Sequence, residues 1–345
     1  MDIFYISLAN FNNFLQSLIK DSAAYGLVPD NDGKHLHWEK IPFEKASDMT
    51  INKYRGVQPL KNFVFPAKEE VTGDTGDTKF IVAGAKQCDI AHLATLDSMF
   101  IGGALIDPYY GLKRQSMIII SGDCDACAPS CFCTLMGGKP YPEKGFDINL
   151  SPVASGFIAE CGSETGKTLI SHRKHLFEEP RKDHLDERNK LRSKMLESVN
   201  ANNKDFDWKD PKDIVENNSG SIVWTEGIAK TCVECDACRF VCGTCYCFLL
   251  GETKKLWEKL RTWDSCQSTG YWRVAGGGNP HKNRFERLRN WYMCKLSLRP
   301  KNFGFYACTG CGRCVDVCQG NIDIRRSLQR LKDNDSSALK EKVKL

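Results

Sequence analysis

The sequence predicts an α+β chain: a mixed α/β N-terminal domain, then a compact cysteine-framed module carrying a long helical insertion. Three observations predict it. Short apolar runs at residues 63–65, 80–82 and 117–120 mark buried strands in the first half. A segment dense in Lys, Arg, Glu and Asp, from His172 to Lys212, separates that half from the rest. The last third holds two runs of the form C-x2-C-x2-C-x3-C.

Taken in order, Phe11, Phe14, Leu15 and Leu18 recur at helical spacing and predict an early amphipathic helix. Asn31-Asp32-Gly33 between extended segments predicts a hairpin turn. A helix is expected over residues 89–99, between the second and third apolar runs. Residues 157–160 and 168–170, flanking a Gly-containing stretch, read as another hairpin. These elements define a domain over residues 1–172. Residues 173–225 then read as a solvated helix followed by a polar linker, residues 226–330 as the cysteine module with its insertion at 243–307, and residues 331–345 as a loosely held tail. Residues 322–324, Ile-Asp-Ile, read as the short strand that closes the module.

The two cysteine runs carry chemistry. Cys232, Cys235, Cys238 and Cys242 form the first, and Cys308, Cys311, Cys314 and Cys318 the second. Three thiolates from one tight loop reach three irons of a [4Fe–4S] cubane, and the fourth cysteine of each run ligates the other cluster. One ligand set is therefore Cys232, Cys235, Cys238 and Cys318; the other is Cys308, Cys311, Cys314 and Cys242. Tetrahedral zinc is the competing reading, but zinc sites use paired C-x2-C knuckles and leave extra cysteines unexplained. Gly243 and Gln319 stand where a proline commonly follows the fourth cysteine, which removes a stiffening residue and no ligand. Gly310 and Gly312 lie inside the second loop, where backbone N–H groups must approach cluster sulfurs.

A third cluster is expected in the N-terminal domain. Cys124, Cys127, Cys131 and Cys133 follow the third apolar run directly, and Cys88 opens the predicted helix. The expected ligands are Cys88, Cys124, Cys131 and Cys133, with Cys127 in reserve; the alternative is that these are buried structural cysteines packing as small hydrophobes. Cys245, Cys247 and Cys266 could hold a further cluster or pack as small hydrophobes, and packing is the expected role since no fourth ligand is evident; Cys161 and Cys294 are single cysteines expected to be structural.

Composition narrows the class. The chain has 345 residues and 18 cysteines, 41% hydrophobic and 26% charged residues, ordinary for a soluble globular protein except for the thiols. Asp2 precedes the first apolar residues and no Lys or Arg does, which is the wrong order for a signal peptide. No apolar stretch is long enough for a membrane span. A reducing, cytoplasmic setting is expected, where clustered cysteines bind metal rather than form disulfides. The formal charge of +5 falls to about −1 with three clusters bound, because ligating thiols lose their protons. A nucleic-acid partner is accordingly not expected. GSETGKT at 162–168 has only three residues between its glycines and is no phosphate loop. The basic stretch from His281 to Arg289, with Phe285, Leu288 and Trp291 interleaved, reads as an amphipathic helix.

The segments CDACAPSCFCTLMGGKP, CDIAHLATLD, RTWDSC, AGGGNPHKNRFERLR and CTGCGRCVDVC together resemble the β subunits of sulfhydrogenases and the A subunits of anaerobic sulfite reductases. In that family a cysteine lies seven residues before the C-x-C element, as Cys124 does here, so the resemblance supports the third ligand set; Cys127 is outside the pattern. The resemblance implies a non-catalytic relay in anaerobic metabolism. Such a subunit passes electrons between a flavin-containing NAD(P)H-linked or ferredoxin-linked subunit and a catalytic subunit of hydrogenase, sulfite reductase or heterodisulfide-reductase type. The alternative is a catalytic reductase that uses the N-terminal iron–sulfur site. No catalytic side chain is assigned.

Overall fold

The computed structural model describes residues 2–31, 33–73, 78–253 and 258–334. The chain divides into two units. The first comprises Met1–Phe65, Gly73–Asn202 and Thr309–Cys311; the second comprises Pro66–Thr72, Asn203–Cys308 and Gly312–Leu345. Ten strands occur among the described residues: β1 Ile3–Ser7, β2 Ala23–Pro29, β3 Leu36–Lys40, β4 Lys68–Glu70, β5 Phe80–Ala85, β6 Met117–Gly122, β7 Ile148–Val153, β8 Gly156–Cys161, β9 Phe248–Glu252 and β10 Lys259–Trp263.

The first unit is built on a seven-stranded sheet of order β1-β8-β7-β6-β5-β2-β3. Its centre, β2-β5-β6-β7, is parallel, while the pairs β2-β3, β7-β8 and β1-β8 are antiparallel. Strand β6 (MIIISG) is buried along its whole length, as expected for a parallel strand covered on both faces. Helix α1 (Leu8–Asp21) begins at Ser7, whose hydroxyl accepts from Asn10 N at 3.3 Å, and it turns Phe11, Phe14, Leu15 and Leu18 into the core. Helix α2 (Gln87–Phe100) follows β5, and α3 (Lys182–Asn202) closes the unit.

The second unit carries a three-stranded antiparallel sheet, β4-β10-β9, and short helices. Among them α4 (Ala237–Phe240) and α6 (Arg313–Asp316) each open inside a cysteine run; α5 (Arg284–Met293) and α7 (Ile324–Asp333) supply apolar faces. No helix among the described residues is long and apolar enough to cross a membrane.

The early helix, the strands at 80–82 and 117–120 and the helix near 89–99 form as the sequence predicts. Strands β2 and β3 pair as a hairpin, but Asp32 of the expected turn lies outside the described residues, as does most of the tail. Three expectations are corrected. Residues 63–65 do not form a strand: Lys61–Val64 is a short helix, and Phe63 sits in an aromatic cluster 5.0 Å from Tyr25 and 5.6 Å from Trp38. Residues 168–170 belong to the helix Glu164–Ser171, started by Ser163, whose hydroxyl accepts from Gly166 N; the hairpin there is β7-β8 instead. Residues 322–324 are not a strand, because Asp323 caps α7 by accepting from Arg325 N at 2.9 Å. The expected polar linker also contains a helix, Pro211–Asn217, capped by Asp210.

Candidate metal centres

In the first unit the cysteines meet at the carboxyl ends of two adjacent parallel strands, where open α/β sheets place their ligand sites. Cys88 lies three residues beyond β5, in the first turn of α2, and Cys124 two residues beyond β6. The loop after Cys124 folds back so that Cys127, Cys131 and Cys133 line the same pocket as Cys88 and Cys124. All four expected ligands and the reserve are thus brought together.

Buried cations surround this pocket. Lys86 reaches across from the end of β5 to the carbonyls of Ile51 (2.5 Å) and Gly122 (3.4 Å). Burial holds its pKa below the ordinary lysine value, partly opposed by Cys124 and by Asp125, Asp123 and Asp89. Arg55 donates to the carbonyl of Cys311 and, at 3.1 Å, to Ser130 Oγ. Burial raises the pKa of the Cys124 and Cys131 thiols and pushes Cys133 up to about 12. A metal centre that displaces those protons gains the compensation that the bare thiolates lack.

The segment Thr309–Cys311 packs in this unit. Phe132 N donates to Gly310 O at 2.8 Å. Gly310 has φ +68°, and a Cβ there would collide with the Phe132 carbonyl, so its glycine is required for this backbone approach. Gly312, at φ +75°, begins α6.

In the second unit Cys232, Cys235, Cys238 and Cys318 line one pocket, which Cys314 also borders. Its walls are apolar and buried: Leu288 and Trp291 from α5, and Ile324 from α7. The first loop turns through left-handed residues Glu234 (φ 56°) and Asp236 (φ 59°). Gly320 approaches Thr231 so closely that a Cβ would strike its carbonyl. Two N–H donors point at sulfur: Gln267 Nε2 lies 3.2 Å from Cys238 Sγ, and Ile322 N lies 3.2 Å from Cys318 Sγ. Burial pushes the Cys238 thiol up to about 12. Four thiols, an apolar sheath and N–H donors to sulfur fit an iron–sulfur cubane.

Two arginines of the basic helix reach the first cysteine loop. Arg284 donates to Cys232 O at 2.8 Å. Arg287 pairs with Glu234 and donates to the carbonyls of Gln267 (2.8 Å) and Lys282 (2.6 Å).

Of the second ligand set, Cys242, Cys308 and Cys314 lie in the second unit and Cys311 in the first. Lys295, 3% exposed, places Nζ 3.0 Å from both Cys242 Sγ and Thr244 Oγ1. Burial works against its charge, yet the sulfurs of Cys242 and Cys245 more than offset this and raise its pKa. Sequence reading missed Lys86, Arg55, Gln267 and Lys295, which lie far along the chain from the sulfurs or backbone they serve. Among the described residues no group of three or more His, Cys, Asp or Glu side chains is placed to hold a single metal ion; the cysteines line pocket walls instead.

Gln267 gives a direct prediction. Its N–H stabilises the more negative, reduced state of a cluster bound at Cys238, so Gln267→Leu lowers that cluster's potential by tens of millivolts, on the order of 1–2 kcal/mol of charge-assisted hydrogen bonding. An EPR-monitored redox titration reads the shift; an unchanged potential would show that the amide does not act on the cluster.

Residues 231–322 match the family described as a 4Fe-4S dicluster domain. Sulfhydrogenase 2 subunit beta of Pyrococcus furiosus is 28% identical over 336 residues, covering 94% of this chain and 96% of that protein. The chain therefore carries a 4Fe-4S dicluster domain and is, along nearly its whole length, similar to a sulfhydrogenase β subunit.

Proposed function

We propose that this chain is a non-catalytic electron-relay subunit of a cytoplasmic redox complex. It exchanges electrons with a flavin-containing or ferredoxin-linked subunit on one side and a catalytic subunit of hydrogenase, sulfite reductase or heterodisulfide-reductase type on the other. The observation that carries this reading is the apolar pocket lined by Cys232, Cys235, Cys238 and Cys318, inside the dicluster domain. Similarity to a sulfhydrogenase subunit supports the setting in a multi-subunit enzyme.

When bound, a cubane supplies one-electron redox chemistry. The chain's own residues do the rest. Cys232, Cys235, Cys238 and Cys318 hold one cluster; Leu288, Trp291 and Ile324 keep water from it; Gln267 and Ile322 donate to its sulfurs. The second set is Cys308, Cys311, Cys314 and Cys242, with Gly310 and Gly312 permitting the tight loop and Lys295 donating to Cys242. A third set is Cys88, Cys124, Cys131 and Cys133, with Lys86 and Arg55 supplying positive charge around the N-terminal pocket.

Anaerobic reconstitution followed by iron and acid-labile sulfide counts tests this. Three cubanes give about twelve irons per chain and a broad visible absorption. About eight irons would keep the dicluster domain and remove the N-terminal cluster, whereas a colourless zinc protein would overturn the reading.

A further inference from the structure

The pocket lined by Cys232, Cys235, Cys238 and Cys318 reaches solvent at one edge. Cys235 is the one exposed cysteine of the chain, and Val233, which also lines the pocket, is 62% exposed. Residues 269–283 run beside this edge, because both ends of that segment are tied to the first cysteine loop. At one end Ser268 Oγ donates to Asp236 at 2.7 Å. At the other, Arg287 donates to the carbonyls of His281 (3.0 Å) and Lys282 (2.6 Å) while it pairs with Glu234. Trp272 anchors the middle: its Nε1 donates to Cys266 O at 2.6 Å, and its ring meets His281 edge-on at 4.3 Å. Residues 273–278 form the tip, exposed throughout, and turn through the left-handed Gly276 and Gly277 (φ 82° and 81°).

Charge on this surface is sorted by sign. Lys230, Arg273, Lys282 and Arg284 are exposed, and Arg273 and Lys282 form no ion pair among the described residues. The acids of the same segments are engaged locally. Glu234 pairs with the buried Arg287, and Asp236 accepts from the hydroxyls of Ser265 and Ser268. Glu286 accepts from Asn283 N at 2.8 Å in the cap of α5, and Glu226 pairs with Lys230 at 3.8 Å. Val274, 58% exposed, adds a second apolar side chain at the tip. A merely solvated basic face needs no apolar residues, whereas protein interfaces set apolar contacts within a polar rim.

We propose that this surface docks a small, acidic one-electron carrier protein of the ferredoxin type. It seats over Cys235, with its carboxylates on Arg273 and Lys282 and its apolar contact on Val233 and Val274. The exposed cations attract and orient such a partner before contact. One electron passes per encounter: the carrier is oxidised by one as the centre held at Cys235 is reduced by one, and no atom is transferred. The inference rests on the relay reading above and adds the place where the carrier binds and the charge it must bear.

The test uses the full-length chain, reconstituted anaerobically with ferrous iron and sulfide, and an acidic two-[4Fe–4S] ferredoxin as the probe. Biolayer interferometry reads the Kd. R273E/K282E is expected to raise it at least about tenfold at low salt. The difference should shrink as salt rises, since screening limits exposed charges to about 8 Å at physiological ionic strength. An unchanged Kd in the variant, or no binding of the ferredoxin to the unaltered chain, overturns the proposal. Displacement of the ferredoxin by duplex DNA at equal concentration also overturns it, with nucleic acid as the occupant instead. Should the variant fail to fold, carbodiimide coupling of the unaltered proteins decides. Cross-links from Lys230 or Lys282 to ferredoxin carboxylates support the surface, and cross-links confined to other lysines overturn it. Iron content and the EPR component that responds to Gln267→Leu should stay unchanged in R273E/K282E, which separates lost docking from lost clusters. The dicluster reading stands or falls separately, on the iron lost from Cys318→Ala.

Discussion

Replacing Cys318 with alanine removes about four irons per chain and one cluster signal, and the signal lost is the one whose potential Gln267→Leu shifts. The pairing follows from the pocket in the second unit. Cys318 is the last cysteine of the second run, yet it lines the cavity formed by the first three cysteines of the first run. Gln267 donates to Cys238 in that same cavity. If each run instead filled its own cluster, Cys318→Ala would strip the cluster that Gln267 does not touch, and the Gln267-sensitive signal would survive. Alanine is the informative replacement because a serine hydroxyl can still ligate iron. Cys318 Sγ also accepts from Ile322 N at 3.2 Å, so the substitution frees a backbone N–H as well as an iron corner. Quantitative EPR of the dithionite-reduced protein, with iron counts on the same samples, reads both outcomes.

The dicluster domain was legible because two cysteine runs of fixed short spacing mark it, a spacing suited to a cubane. The N-terminal pocket was legible in part. Apolar runs at β5 and β6 were long enough to read as buried strands, and a site at their carboxyl ends places Cys88 and Cys124 together. Two of the local signals misread are places where a polar residue decides. Asp323 and Ser163 are N-caps, and each turns a short apolar stretch into a helix where β-branched composition suggested a strand. The donors to sulfur were not legible. Gln267 lies 29 residues from Cys238, and Lys295 lies 53 residues from Cys242; no periodicity connects residues that meet only through tertiary packing.

The charged segment read as solvated hides a buried ion pair that the first unit depends on. Helix α3 is polar nearly throughout, but it buries His184, Met195 and Val199 and sends Arg192 onto the sheet. Arg192 Nε lies 2.7 Å from Asp123, and its Nη2 lies 2.5 Å from Glu160 and 3.2 Å from Ser151 Oγ. The Asp123 carboxylate is 1% exposed; it also accepts from Asn149 Nδ2 at 2.9 Å and Ser151 Oγ at 2.6 Å. Arg192→Met keeps much of the stem's packing but leaves the buried Asp123 carboxylate without its cation, while Glu160 keeps Arg188 at 2.9 Å; the expected cost is about 3–5 kcal/mol. Amide exchange in β7, β8 and α3 should accelerate by at least about a hundredfold, since each 1.4 kcal/mol is tenfold. Lys190→Met, on the exposed face of the same helix, should change exchange little, within about 0.5 kcal/mol. Adding Asp123→Asn to Arg192→Met removes the orphaned charge and should recover part of the loss; no recovery would show that Arg192 acts through packing alone. Because Asp123 precedes Cys124 directly, the same loosening reaches the N-terminal pocket. Arg192→Met should therefore lower iron retention by the cluster proposed there before it affects those proposed for the second unit, through an ion pair that spacing and composition conceal.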